Sequence, residues 1–195
     1  MRFDDYYLVE SSITNEMIEY FYERTNRHID LVKKYGRLIN ELGIEGLEDI
    51  VEVCNKHDAS KFEQPERDDY IFISWDYKCK DDGTEFDLPQ EIKDNMNRAS
   101  EHHVKNNAHH PEYYCKQEDV KFDRHDRDKL EKIVDATKMP EISLAEMVAD
   151  WCAMSEELGK NTPKEWADNN VNIRWNFNDS QVKFIYDLIS KIWED

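Results

Sequence analysis

Apolar residues recur at three- and four-residue steps over much of the chain, and that period predicts helices. Met17, Phe21, His28, Leu31, Tyr35, Leu38 and Leu42 share one face of a helix over Thr14 to Leu42. Thr14 or Asn15 can cap its start, Glu16 sits in its first turn, and Gly43 ends it. A second helix is expected over Leu47 to His57, with Leu47, Ile50, Cys54 and His57 on one stripe. A third is expected over Pro89 to Lys105, with Ile92, Met96, Ala99 and His103 in register. The segment between them, Tyr70 to Cys79, is short, aromatic and β-branched. It suits a strand, part of a hairpin or a buried helix segment, and the Asp-Asp-Gly turn at Asp81 to Gly83 favours the hairpin.

The second half of the chain is less regular. Asp119 to Lys138 is highly charged, with Leu130, Ile133 and Val134 as its few apolar contacts. Its C-terminal part reads as an exposed helix stopped before Pro140. Ser143 and Glu146 are spaced as a capping box for a helix over Leu144 to Leu158, whose buried side is Leu144, Met147, Val148, Trp151 and Leu158. Gly159 stops that helix. Asn161 to Asn178 reads as irregular, with a short helix at Pro163 to Asp168. A last helix starts near Asn178 or Asp179, with Val182, Ile185, Ile189 and Ile192 facing inward. The sum is a single all-α domain over residues 1–195 with a small irregular or β insertion near residues 66–88. No internal repeat or linker divides it.

Composition narrows the function classes. The chain has 195 residues, 39% of them hydrophobic, enough for a sizeable core. Five Gly and five Pro disfavour a turn-rich β fold. A formal charge of −18 repels a phosphate backbone, so a nucleic-acid polymer is disfavoured as partner. No run approaches the roughly 18 apolar residues of a membrane span, and the N-terminus lacks a signal-peptide core. The four cysteines, Cys54, Cys79, Cys115 and Cys152, form no C-x-x-C pair and suit reduced thiols in the cytoplasm.

The histidines carry the candidate chemistry. His28 lies on the apolar face of the first helix, and His57 closes the second stripe with Asp58 directly after it. His102-His103 and His109-His110 form two doublets. Asp150 is flanked by Met147, Val148, Trp151 and Met154, and a carboxylate beside an apolar stripe must be paired, hydrogen-bonded or metal-bound. Imidazole with carboxylate is the ligand mix of divalent transition metals. A second His-Asp pair, His125-Asp126, sits among charges without an apolar stripe to hold it rigid and reads as solvated surface. Tyr113, Tyr114, Trp151 and Trp175 could stack a base or simply pack the core.

The order His28, His57-Asp58, Asp150 resembles the HD-domain superfamily of metal-dependent phosphohydrolases, with its H … HD … D signature on a helical bundle. More narrowly, the chain resembles an uncharacterised bacterial and phage family. The shared motifs are H-D-x-S-K-F at His57 to Phe62, N-x-x-H-H-x-x-Y at Asn106 to Tyr113, and M-P-E … E-M-x-x-D-W at Met139 to Trp151. The resemblance implies an HD-like bundle in which His28, His57, Asp58 and Asp150 hold metal, joined by His102 and His103. One or two ions of Mn, Fe, Zn, Co or Ni are expected, because no histidine lies between Asp58 and His102, where trinuclear relatives carry another ligand. Lys61 resembles the phosphate-side lysine of the H-D-x-x-K variant. His109 or His110 could donate a proton to the leaving group. The expected reaction is hydrolysis of a small phosphomonoester or nucleotide. The alternatives are an HD-type di-iron oxygenase and a non-enzymatic phage or host interaction protein with a structural metal. The oligomeric state is left open.

Overall fold

A computed structural model describes residues 13–116 and 133–193 of the chain. The described residues are mostly α-helical: α1 (Asn15–Glu41), α2 (Ile50–Asn55), α3 (Arg67–Asp81), α4 (Gln90–Asn106), α5 (Glu141–Leu158), α6 (Pro163–Asn170) and α7 (Asp179–Ile192). Two 3-10 turns, Ala59–Phe62 and Pro111–Tyr114, follow α2 and α4. The only strands among the described residues are β1 (Val134–Asp135) and β2 (Trp175–Asn176), which pair in parallel with Val134 opposite Trp175. No helix among the described residues is long and apolar enough to cross a membrane.

The residues divide into two compact units. Among the described residues, the first comprises 13–27 with 58–103; the second comprises 28–57 with 104–116 and 133–193. Each has its own apolar core. In the first, Met17 and Phe21 of α1 meet Ile71, Phe72 and Ile73 of α3 and Ile92 and Met96 of α4. In the second, α5 packs against α2, α6 and α7. Its core gathers Val32, Tyr35 and Ile39 of α1, Ile50 and Cys54 of α2, Leu144, Met147, Val148 and Trp151 of α5, and Ile185, Leu188 and Ile189 of α7.

This division corrects the expected face of α1. Leu31 and Leu38 are only partly buried and Leu42 is exposed, whereas Val32 and Ile39 are fully buried. Steps of three and four residues fit two adjacent stripes, and a helix that contributes to two cores need not keep one stripe throughout.

The segment around Tyr70 to Cys79 is helical, not a hairpin. Ile71, Phe72 and Ile73 are all buried, which an alternating half-buried strand would not allow. Asp68 and Asp69 in the first turn of α3 and Lys78 and Lys80 in its last oppose the helix dipole favourably. The exposed helix expected up to Lys138 is also absent from residues 133–138: Val134 N–H donates to the Arg174 carbonyl at 3.0 Å as part of β1, and Met139 closes a turn onto Ala136. The rest of that expected helix, Leu130 included, lies outside the described residues, as do His125 and Asp126.

The Ser143–Glu146 capping box does not form. α5 begins earlier, at Glu141 after an extended Pro140, so both residues lie inside the helix and are buried. Capping boxes do form on α6, between Thr162 and Glu165, and on α7, between Asn178 and Gln181. Buried Gln181 also donates to the carbonyls of Ala136 and Met139, tying the segment after β1 to α7.

Candidate metal centre

The second unit brings three of the sequence-derived residues together. His28 lies on α1, His57 just beyond α2, and Asp150 on α5. Each offers one ligand atom, and the three atoms lie within 4.8 Å of one another. His28 Nε2 is 3.0 Å from Asp150 Oδ1, and His57 Nε2 is 3.9 Å from the same oxygen. The rings of His28 and His57 are 5.5 Å apart.

The other edge of each ring meets a glutamate that the motif reading had not placed in the site. His57 Nδ1 donates to Glu146 Oε1 at 3.0 Å, and His28 Nδ1 lies 3.4 Å from Glu157 Oε2. His109, at the turn after α4, lies with its Nδ1 3.3 Å from Glu146 Oε1 and its ring 4.2 Å from that of His57. His57, His109 and Glu146 are all buried. Glu146, Asp150 and Glu157 stand at i, i+4 and i+11 on α5, which places them within roughly 40° of one another around the axis. That acidic stripe is the signal that would have found Glu146 and Glu157.

Burial works against ionisation of Asp150, but the hydrogen bond and charge of His28, with the charges of His57 and His109, outweigh it and hold its pKa well below the usual carboxylate range. Burial likewise opposes ionisation of Glu146, and its bonds to His109 and His57 bring its pKa down to about 2. Asp150 and Glu146, ionised and close together, need positive charge between them, from imidazolium protons or from a metal cation. The donor set suits the cation. Neutral histidine binds metal through one ring nitrogen when a carboxylate takes the N–H of the other, and His57 has that arrangement. These buried His, Asp and Glu groups could therefore hold a metal ion. The nearby thiols do not compete: burial, with the charges of Glu146 and Asp150, pushes Cys54 up to about 12.

Asp58, His102, His103 and Lys61 belong to the first unit. Asp58 adopts a left-handed backbone conformation (φ 58°), a strained state that aspartate tolerates better than most residues. Its carboxylate receives Lys61 Nζ at 2.5 Å and lies 3.1 Å from His103 Nε2. Lys61 also sits over the Tyr70 ring. The first doublet is split in role. Buried His103 faces Asp58, while His102 is partly exposed, and Glu66 receives Nδ1 of both, at 2.8 and 2.7 Å. Glu66, fully buried, was also missed by the motifs. Burial opposes its ionisation, but His103, His102 and Ser60 together lower its pKa.

His110 lies beside His109, with rings 4.2 Å apart, and its carbonyl accepts from Tyr113 N–H at the start of the 3-10 turn. Trp151 and Trp175 stack on each other, 5.9 Å apart, inside the core of the second unit, so neither is a base platform. Tyr114 donates to Ser143, and Tyr113 is exposed.

A sequence model described as "Family of unknown function (DUF5662)" matches residues 17–191. No curated protein and no solved structure matches the chain.

Proposed function

Because the chain belongs to the family of unknown function DUF5662, which assigns no activity, we propose a function from the site itself: metal-dependent hydrolysis of a small phosphomonoester or nucleotide. One observation carries the reading. His28 and His57 each set Nδ1 against a buried glutamate and turn Nε2 toward the same oxygen of Asp150. His28, His57 and Asp150 would hold a divalent transition ion. When bound, such an ion acidifies water and neutralises charge on a phosphoryl group. The chain's own groups do the rest. Glu146 and Glu157 hold the imidazole rings in place, and buried His109 stands beside His57 where, as an imidazolium protonated at both nitrogens, it can pass its Nε2 proton to a leaving alkoxide. The order of motifs along the chain, which resembles that of HD phosphohydrolases, supports the same reading.

The test is metal analysis of the purified full chain, followed by a phosphatase screen with the metal found. Stoichiometric Mn, Fe, Zn, Co or Ni and turnover of a phosphomonoester are expected. Asp150→Asn should lower metal affinity by about 10–100-fold or more while the helical signal is retained. A chain that binds none of these ions overturns the reading. Two irons with a visible absorption band and no phosphatase activity would replace it with oxygen chemistry.

A further inference from the structure

Glu146 does more in this geometry than balance charge. A single oxygen, Oε1, faces Nδ1 of His57 at 3.0 Å and Nδ1 of His109 at 3.3 Å. An ionised carboxylate only accepts, so each Nδ1 must carry the proton. Both rings therefore direct Nε2 away from Glu146, and the rings stand 4.2 Å apart, tilted by 42°. Glu146 is itself buried, one turn before Asp150 on α5. Its spacing from Ser143 suits half of a capping box, a role the helix start at Glu141 removes.

We infer that Glu146 is the positioning residue of the site, fixing His57 and His109 in the Nδ1–H form through one shared oxygen. It thereby keeps His57 Nε2 for metal and leaves His109 Nε2 on the substrate side, where it takes up the proton it hands to the leaving group. The inference rests on the metal-hydrolase reading for what the two Nε2 atoms do, but not for the tautomers themselves. A shared acceptor also couples the two functions: whatever weakens Glu146 weakens metal binding and proton transfer together. A charged acceptor makes a ring more basic than a neutral one, since hydrogen bonds to an ion are roughly twice as strong. Glu146→Gln keeps an oxygen in place and removes the charge; Glu146→Ala removes both.

The experiment compares wild type, Glu146→Gln and Glu146→Ala as full-length chains. It combines Zn²⁺ titration calorimetry with ¹⁵N-histidine NMR, and uses circular dichroism to confirm the helical content. In wild type, the ¹⁵N spectra should show His57 and His109 protonated at Nδ1, with Zn²⁺ at Nε2 of His57. Zn²⁺ affinity should fall about tenfold in the Gln variant and about 100-fold in the Ala variant, the range typical of a carboxylate that orients a ligating histidine. The Ala variant should also mix tautomers at both rings, a change that lost packing alone would not produce. If Ala does not fold, the Gln variant and the wild-type spectra carry the test. Wild type that binds Zn²⁺, with both variants binding it equally well, overturns the positioning role and leaves the metal reading intact. Neutral Nε2–H tautomers of His57 and His109 in wild type, with Nδ1 bare, overturn it as well. Wild type that binds no metal yet shows Nδ1–H at both rings overturns the metal reading and supports the positioning role.

Discussion

Buried carboxylates dominate this protein at the scale of single residues, and their neighbours decide what each costs. Asp150, Glu146 and Glu66 are surrounded by imidazoles and ionise readily. Asp69, on α3, is the opposite case. Burial and the adjacent charge of Asp68 raise its pKa to about 6 from an ordinary 3.8, and Arg98 offsets this only in part. A carboxyl whose pKa is higher in the folded state leaves stability intact below about pH 4. Stability is then lost as pH rises through about 6. Asp69→Asn should therefore stabilise the protein at pH 7 by about 1–2 kcal/mol, the linkage value discounted for partial exposure, and change little at pH 4. Urea denaturation at both pH values checks this. Equal effects at the two pH values would mean that folding does not raise the pKa of Asp69.

Helix contacts, one scale up, bring the candidate ligands into place. α2 approaches α1 at Gly36, where a Cβ would stand 2.7 Å from Cys54 Sγ and 2.9 Å from Cys54 Cβ. Cys54 is fully buried one turn before His57, so it cannot yield without moving the segment that carries a candidate ligand. Gly36→Ala should thus cost stability, about 1–3 kcal/mol by overpacking, despite alanine's higher helix propensity. It should also weaken metal binding, because α1 and α2 carry or adjoin His28 and His57. Denaturant midpoints and metal titration of the variant report the two effects. A variant more stable than wild type would show that the helices separate freely at this point.

For the whole molecule, metal binding and folding stability are linked. A ligand that binds only the folded chain stabilises it by about 2.7 kcal/mol at a free concentration 100 times its Kd. In a chain of this size that amounts to a rise in Tm of roughly 5–10 °C, reversed by a chelator. Differential scanning fluorimetry with and without the ion and EDTA measures it. The same shift in Asp150→Asn would place the binding elsewhere. The formal charge of −18 acts on stability too. Self-repulsion of the compact state is relieved by salt, so Tm of the metal-free protein should rise with moderate NaCl. A fall would mean that attractive pairs such as Lys34–Glu156 outweigh the net repulsion.

Local chemistry was legible in the chain wherever it acts within a turn or two. The extents of α1, α4 and α7 follow from their apolar steps and from the residues that bound them, because Gly43 can take the left-handed conformation and Asn178 can accept from Gln181 N–H. His28, His57 and Asp150 were legible for a related reason: a polar side chain on an apolar stripe must meet a partner in the interior. Which partner it meets depends on residues distant in sequence. Ser143 and Glu146 have the spacing of a capping box, but His57, 89 residues away, takes the glutamate. Tyr70 to Cys79 suits a strand by propensity, but the core around Phe21 and Met96 accepts three consecutive apolar side chains only from a helix that is buried nearly all round. Residues Val134 and Trp175 form strands because they found each other. Helix periods and end signals are set by bonds between near neighbours. The pairing of glutamates with histidines, and of one short strand with another, is set by which elements packing brings together, and no local pattern records it.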